Sequence, residues 1–92
     1  MTRRVELDHA QDDWRLARDS ALYAQINMGM ALQSKRSIVD SFQSVAHLSS
    51  REAEHEYQVI INQHREELLA SLKRLDETGQ VLMKLLERDF PD

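Results

Sequence analysis

Leu7, Trp14, Ala21, Met28, Lys35 and Phe42 stand seven residues apart, and Ala10, Ala17, Ala24, Ala31, Ile38 and Val45 fill the positions three further on. This is an a/d seam that keeps its phase from Leu7 to Val45, with Lys35 as its one polar member. Asp8 followed by Gln11 reads as a capping box, and no proline interrupts the run, so a first helix is expected over about residues 8–47. The boundary after it is explicit: Ser49 is placed as N-cap, Glu52 as N3, and Leu48 with Ala53 as a hydrophobic staple. A second helix is expected over about residues 51–88, with Pro91 just beyond it. Its apolar face is Ala53, Tyr57, Ile60, Ile61, His64, Leu68, Leu72, Leu75, Leu82, Leu85 and Leu86, at spacings of three and four. Gly79 also reads as a helix C-cap after Thr78, but the leucine stripe holds phase across it and favours one continuous helix.

Two helices of near-equal length joined by a turn at residues 48–50 must fold back on one another. The expected fold class is therefore all-α, a single helical-hairpin domain over residues 1–92. Residue i then lies roughly opposite 98 − i. This register sets Phe42 against Tyr57, Ala31 against Leu68, Lys35 against His64, and Trp14 against Leu85 and Leu86. The intramolecular seam expected from it comprises Trp14, Ala17, Ala21, Ala24, Met28, Ala31, Ile38 and Phe42 on the first helix. Tyr57, Ile61, His64, Leu68, Leu75 and Leu82 supply the second. Small residues of one helix fall opposite large residues of the other, as a tight seam requires.

One seam buries too little for a chain of 92 residues, since small scaffolds come out near zero once ordering entropy is counted. Stepping 100° per residue around the first helix places Leu16, Leu22, Tyr23, Ile26 and Met30 on the side away from the seam. They concentrate in the window from Ser20 to Ser34, which holds no charge in a chain that is 30% charged. The back of the second helix carries Glu66, Lys73, Glu77, Lys84 and Glu87 and reads as solvated. An apolar face on one helix only is a partner-binding surface. The expected assemblies are a homodimeric four-helix bundle, a complex with another protein, or both in exchange.

Net charge is −4 and uneven: residues 1–50 carry six basic and six acidic groups, residues 51–92 six and ten. No basic stripe exists to displace phosphate counterions, so no nucleic-acid partner is expected. Arg3 and Arg4 form an isolated basic pair. The uncharged window is too short and too polar to span a bilayer, and the first residues lack the apolar core of a signal peptide, so a cytoplasmic protein without membrane contact is expected. The absence of Cys removes disulfides and thiolate metal sites.

Candidate chemistry is sparse. Glu52 and His55 have the Glu-x-x-His spacing of di-iron carboxylate bundles, but the facing stretch offers Gln43, Ser44, Ala46 and His47, with Asp40 the nearest acid. A metal-binding four-helix-bundle subunit is thus the alternative of a different class, needing two half-sites in a dimer. The bland reading has Glu52 capping a helix and His55 in water. His64 opposite Lys35 reads as a register-setting polar pair and a pH-sensitive weak point. No phosphate-cradling glycine loop or nucleophile–base set is present. No enzyme activity, cofactor or small-molecule substrate is expected.

In shape and length the chain resembles several groups of small bacterial hairpins: dimerising plasmid regulators, secretion-system chaperones, and hairpin secretion substrates. The last group carries Trp-x-Gly in its turn, whereas this turn is Leu48-Ser49-Ser50 and Trp14 lies near the start. The function expected is a small non-enzymatic interaction module, an adaptor, chaperone or regulator, with a component or chaperone of a bacterial secretion system as the alternative.

Overall fold

The computed structural model describes residues 2–90, with side chains from residue 4 onward. Pro91 and the Arg3 side chain lie outside the described residues. Three helices account for nearly all of it: α1 is Thr2–Gln33, α2 Lys35–Ser44 and α3 Ser50–Asp89. No strand occurs among the described residues. The chain divides into two compact units, one joining the segment up to Tyr23 with the segment from Leu69 onward, the other comprising Ala24–Leu68.

The helix limits differ from expectation at three places, each for a local reason. First, α1 starts at Thr2, so Asp8 lies inside the helix instead of capping it. Nothing between Thr2 and Leu7 breaks a helix, and Glu6 anchors the turn through a 3.0 Å contact with Arg88. Second, the long first helix is interrupted at Ser34, whose backbone sits at φ −96°, ψ 14° with no side-chain cap. The ladder is only locally disturbed, because Ser34 N–H still donates to the Met30 carbonyl and Ile38 N–H to the Ser34 carbonyl, both at 2.9 Å. In the heptad Lys35 takes an a position and Val39, about 40° further round the helix, the e position that flanks the seam. After the break Val39 is buried and Lys35 is exposed. An ammonium is thereby kept in water and an isopropyl group taken out of it.

Third, the connection runs from Val45 to Ser49, longer than the turn expected at residues 48–50. His47 adopts φ 56°, the left-handed conformation that ends many helices, and Leu48 N–H reaches back 3.1 Å to the Phe42 carbonyl. Val45, read as a seam residue, therefore lies in the connection and is 78% exposed.

The unit Ala24–Leu68 has a true core. Ala31, Val39, Ala53, Tyr57 and Ile61 are buried together, with Met28, Ile38, Phe42 and Leu48 packed against them. Leu48 thus performs its staple role beside Ala53. Here the expected register is replaced. The Tyr57 hydroxyl donates to the Ala31 carbonyl at 3.3 Å, and Lys35 Nζ lies 3.3 Å from Glu54 and 5.4 Å above the Tyr57 ring. Ala31 was expected to face Leu68, and Lys35 to face His64. The connection is longer than expected, and different turns meet.

The other unit is built differently. Its buried residues are Ala10, Ala17 and Ala21, while Leu7, Trp14, Leu75, Leu82, Leu85 and Leu86 are half-buried. Alanines let the two backbones approach but fill no volume beyond that line, so larger side chains lean over the flanks. Trp14, expected against Leu85 and Leu86, lies beside Gly79, where a β-carbon would meet its Cδ1 and Nε1 at 3.7 Å. Arg18 sits 5.4 Å over the same indole ring. Gly79 does not break α3, which continues to Asp89.

A 3.7 Å approach is ordinary van der Waals contact, so the indole leaves room for a methyl group at position 79. Gly79→Ala should therefore stabilise the chain by about 0.5–1 kcal/mol through helix propensity alone. An increase in the urea midpoint at constant m-value checks this; a decrease would mean that Trp14 needs the glycine.

Candidate interaction surface

The side of α1 turned away from its packed alanines is lined with large apolar residues. In the first unit Leu16, Leu22 and Tyr23 are 62%, 54% and 68% exposed; in the second, Ile26 and Met30 are 46% and 61% exposed. All five belong to one continuous helix, and their spacing keeps them within roughly a third of its circumference. No other charged group than Asp19 lies between Leu22 and Leu16 on the outer side. Arg18 is drawn off that face, held by Trp14 and by Asp19 at 3.1 Å.

Of the residues read as seam, Ala17, Ala21, Ala24, Ala31, Tyr57 and Ile61 are buried. Trp14, Met28, Ile38, Phe42, His64, Leu68, Leu75 and Leu82 are half-buried. Two features escaped the sequence reading. Val39 enters the core from the e position that flanks the heptad, which a strict a/d count leaves out. The second is an apolar stripe on α3: Leu69, Leu72, Met83 and Phe90 are all exposed, although Leu72 was placed on the inward face. Its signal was present in the sequence as a second seven-residue spacing, masked by the denser leucine pattern beside it.

Of the acid–imidazole pair, Glu52 is engaged in capping. Ser49 N–H donates to Glu52 Oε1, and Glu52 N–H donates to the Ser49 hydroxyl oxygen, both at 3.2 Å. This reciprocal arrangement is a capping box. The Ser49 side chain, and then its backbone N–H, hold the Glu52 carboxyl below its ordinary value of 4.5. His55 is exposed nearby, in a shallow depression with Leu48, Arg51, Glu52 and Glu56. No group of three or more His, Cys, Asp or Glu side chains able to hold a metal occurs among the described residues.

His64 is half-buried, and its Nδ1 is buried without a hydrogen-bond partner. Glu67 Oε2, at 3.8 Å, is too distant to satisfy it. Lys35 is engaged by Glu54, so the expected Lys35–His64 pair is absent. Arg88 bridges Asp89 and Glu6, and these hydrogen bonds raise its guanidinium above the usual value. No helix among the described residues is long and apolar enough to cross a membrane.

Comparison with protein-family models, with curated proteins and with solved structures finds no match.

The capping box makes the N-terminus of α3 acid-sensitive. Because the Glu52 carboxyl is lowered on folding, its contribution is complete above its ordinary value of 4.5 and disappears as pH falls through the lower folded value. Glu52→Gln should therefore lower the neutral plateau slightly and flatten the acid limb of the stability profile below about pH 4.5. Ser49→Ala should cost about 1 kcal/mol on that plateau. Urea denaturation at a series of pH values reads both; an unchanged acid limb in Glu52→Gln would dismiss the effect.

Proposed function

We propose that this chain is a small, non-enzymatic protein–protein interaction module, folded as a helical hairpin, that presents the outer apolar face of α1 to another protein chain. The observation that carries this reading is the exposure of Leu16, Leu22, Tyr23, Ile26 and Met30 on the side of α1 opposite its buried alanines. Scattered apolar residues on a surface need no explanation, but five large ones aligned on one helix do. Helix-in-groove recognition reads such anchors at spacings of three, four and seven. Tyr23 combines a broad apolar ring with a hydroxyl that tolerates a wet rim, and Met30 adapts its shape to a partner.

The occupant that fits is a protein with an apolar groove or a matching helix. The chain's net charge of −4 and its lack of a basic stripe speak against nucleic acid and anionic lipid. Glu52, the acid of the Glu-x-x-His spacing, takes part in capping among the described residues. A second copy on the same face would complete a four-helix bundle and counts as an instance of the same module.

Replacing Ile26 and Met30 together by Glu should remove partner binding while leaving helicity close to that of the parent, because both side chains are exposed. The check is quantitative mass spectrometry of chains crosslinked to the protein in its native extract, parent against double variant, with circular dichroism on both. Specific crosslinks lost in the variant support the module; identical crosslinking patterns would retire the α1 face.

A further inference from the structure

A second apolar stripe lies on α3, within the unit that has no large buried side chain. Leu69, Asp76, Met83 and Phe90 stand seven apart, and Leu72, Gly79 and Leu86 follow three residues after the first three of them. Leu69, Leu72, Met83 and Phe90 are 59%, 47%, 57% and 68% exposed. A shallow groove that includes Asp76, Gly79, Gln80 and Met83 runs along the stripe. Gly79 and Leu86 are half-buried, so the open part of this heptad is Leu69, Leu72, Met83 and Phe90.

The charges beside the stripe indicate what covers it. Lys73 and Glu87 lie seven residues to either side of Gln80, and Asp76 and Lys84 lie four to either side. The signs are thus opposite at equal distances from Gln80. We propose that a second copy of this chain seats on this stripe, its α3 antiparallel to the first, about a two-fold axis at Gln80. Lys73 of each copy then meets Glu87 of the other, and Asp76 meets Lys84, making four ion pairs by symmetry. A parallel pair in register would set each charge near its own duplicate. In the antiparallel pair Met83 falls opposite Glu77 and within a turn of the half-buried Gly79 of the other copy, and Phe90 falls between Leu69 and Leu72.

The groups are available for this exchange. Lys73 Nζ is only 4.0 Å from Glu77, and the Asp76 carboxylate accepts an exposed hydrogen bond from Gln80 at 3.1 Å. Such surface contacts are worth little and rearrange readily. The area also suits a dimer. Taking roughly 150–200 Å² for a fully exposed large side chain, the four apolar residues offer about 400 Å² per copy. That is about the apolar half of the roughly 800 Å² per partner buried in a standard stable interface. The stripe is separate from the α1 face, so the dimer leaves that face free for another protein.

The test is sedimentation of the full chain together with two charge-reversed forms, Lys73→Glu/Lys84→Glu and Asp76→Lys/Glu87→Lys. The parent should sediment at twice the 10.8 kDa chain mass. Each reversed form alone should dissociate about 10- to 100-fold more readily, and an equimolar mixture should regain the parent's affinity within about threefold. Restoration on mixing cannot come from a folding defect. A parent that stays monomeric to about 0.5 mM, or a mixture no tighter than its components, overturns the proposal. Dissociation by Ile26→Glu/Met30→Glu would move the dimer contact to α1 and also overturn it, while leaving the function proposed for that face intact. Should a reversed form lose its helix, hydrogen exchange of the parent decides. Protection along residues 69–90 must rise with protein concentration while that along residues 53–61 does not; equal behaviour of the two stretches overturns the dimer.

Discussion

Alanine sets the character of this molecule, because a methyl group allows two helices to touch without giving them a core. Ala10, Ala17 and Ala21 are buried in one unit, and Ala24, Ala31 and Ala53 in the other. Each removes little apolar area from water, at about 25 cal/mol per Å², and each brings the backbones close enough that leucines and tryptophan must pack beside the contact instead of within it. Where Val39, Tyr57 and Ile61 supplement the alanines, a core forms. Where nothing supplements them, the larger residues stay half in water.

That difference organises everything else. The unit Ala24–Leu68 gains a capping box at Ser49 and Glu52, a hydrogen bond from Tyr57 to the Ala31 carbonyl, and a lysine stacked on the same tyrosine. Its polar contacts are local and mutually consistent. The unit joining the two ends of the chain relies on the Glu6–Arg88 pair and on Trp14 laid against Gly79. Exposed ion pairs contribute little, so its apolar surface remains the larger resource. The exposed stripe on α3 lies wholly in the unit short of enclosed volume, whereas the outer face of α1 carries exposed residues in both units. His64 Nδ1, buried and unsatisfied, is the one polar group in the cored unit that works against it.

Much of this was legible along the chain. Heptad spacing placed the alanines inward and Leu16, Leu22, Tyr23, Ile26 and Met30 outward, since a helix repeats its faces by simple geometry. Ser49, Glu52 and Leu48 announced the start of α3 because capping is decided by a few neighbouring residues. The stripe at Leu69, Leu72, Met83 and Phe90 was also written there, but two overlapping periodicities on one helix compete, and the richer one drew the reading. Local rules reach as far as a helix and the faces it carries.

What only the tertiary structure decided is how those faces engage. No local rule requires the turn at Ser34 or the burial of Val39, which depends on the core that Ala53, Tyr57 and Ile61 bring to it. The length of the connection from Val45 to Ser49, with His47 left-handed, is likewise set by which turns can meet across the chain. Register is a sum over all contacts at once. A sequence lists the residues that wish to be buried, while the packed backbones determine which of them find a place and which are left facing outward.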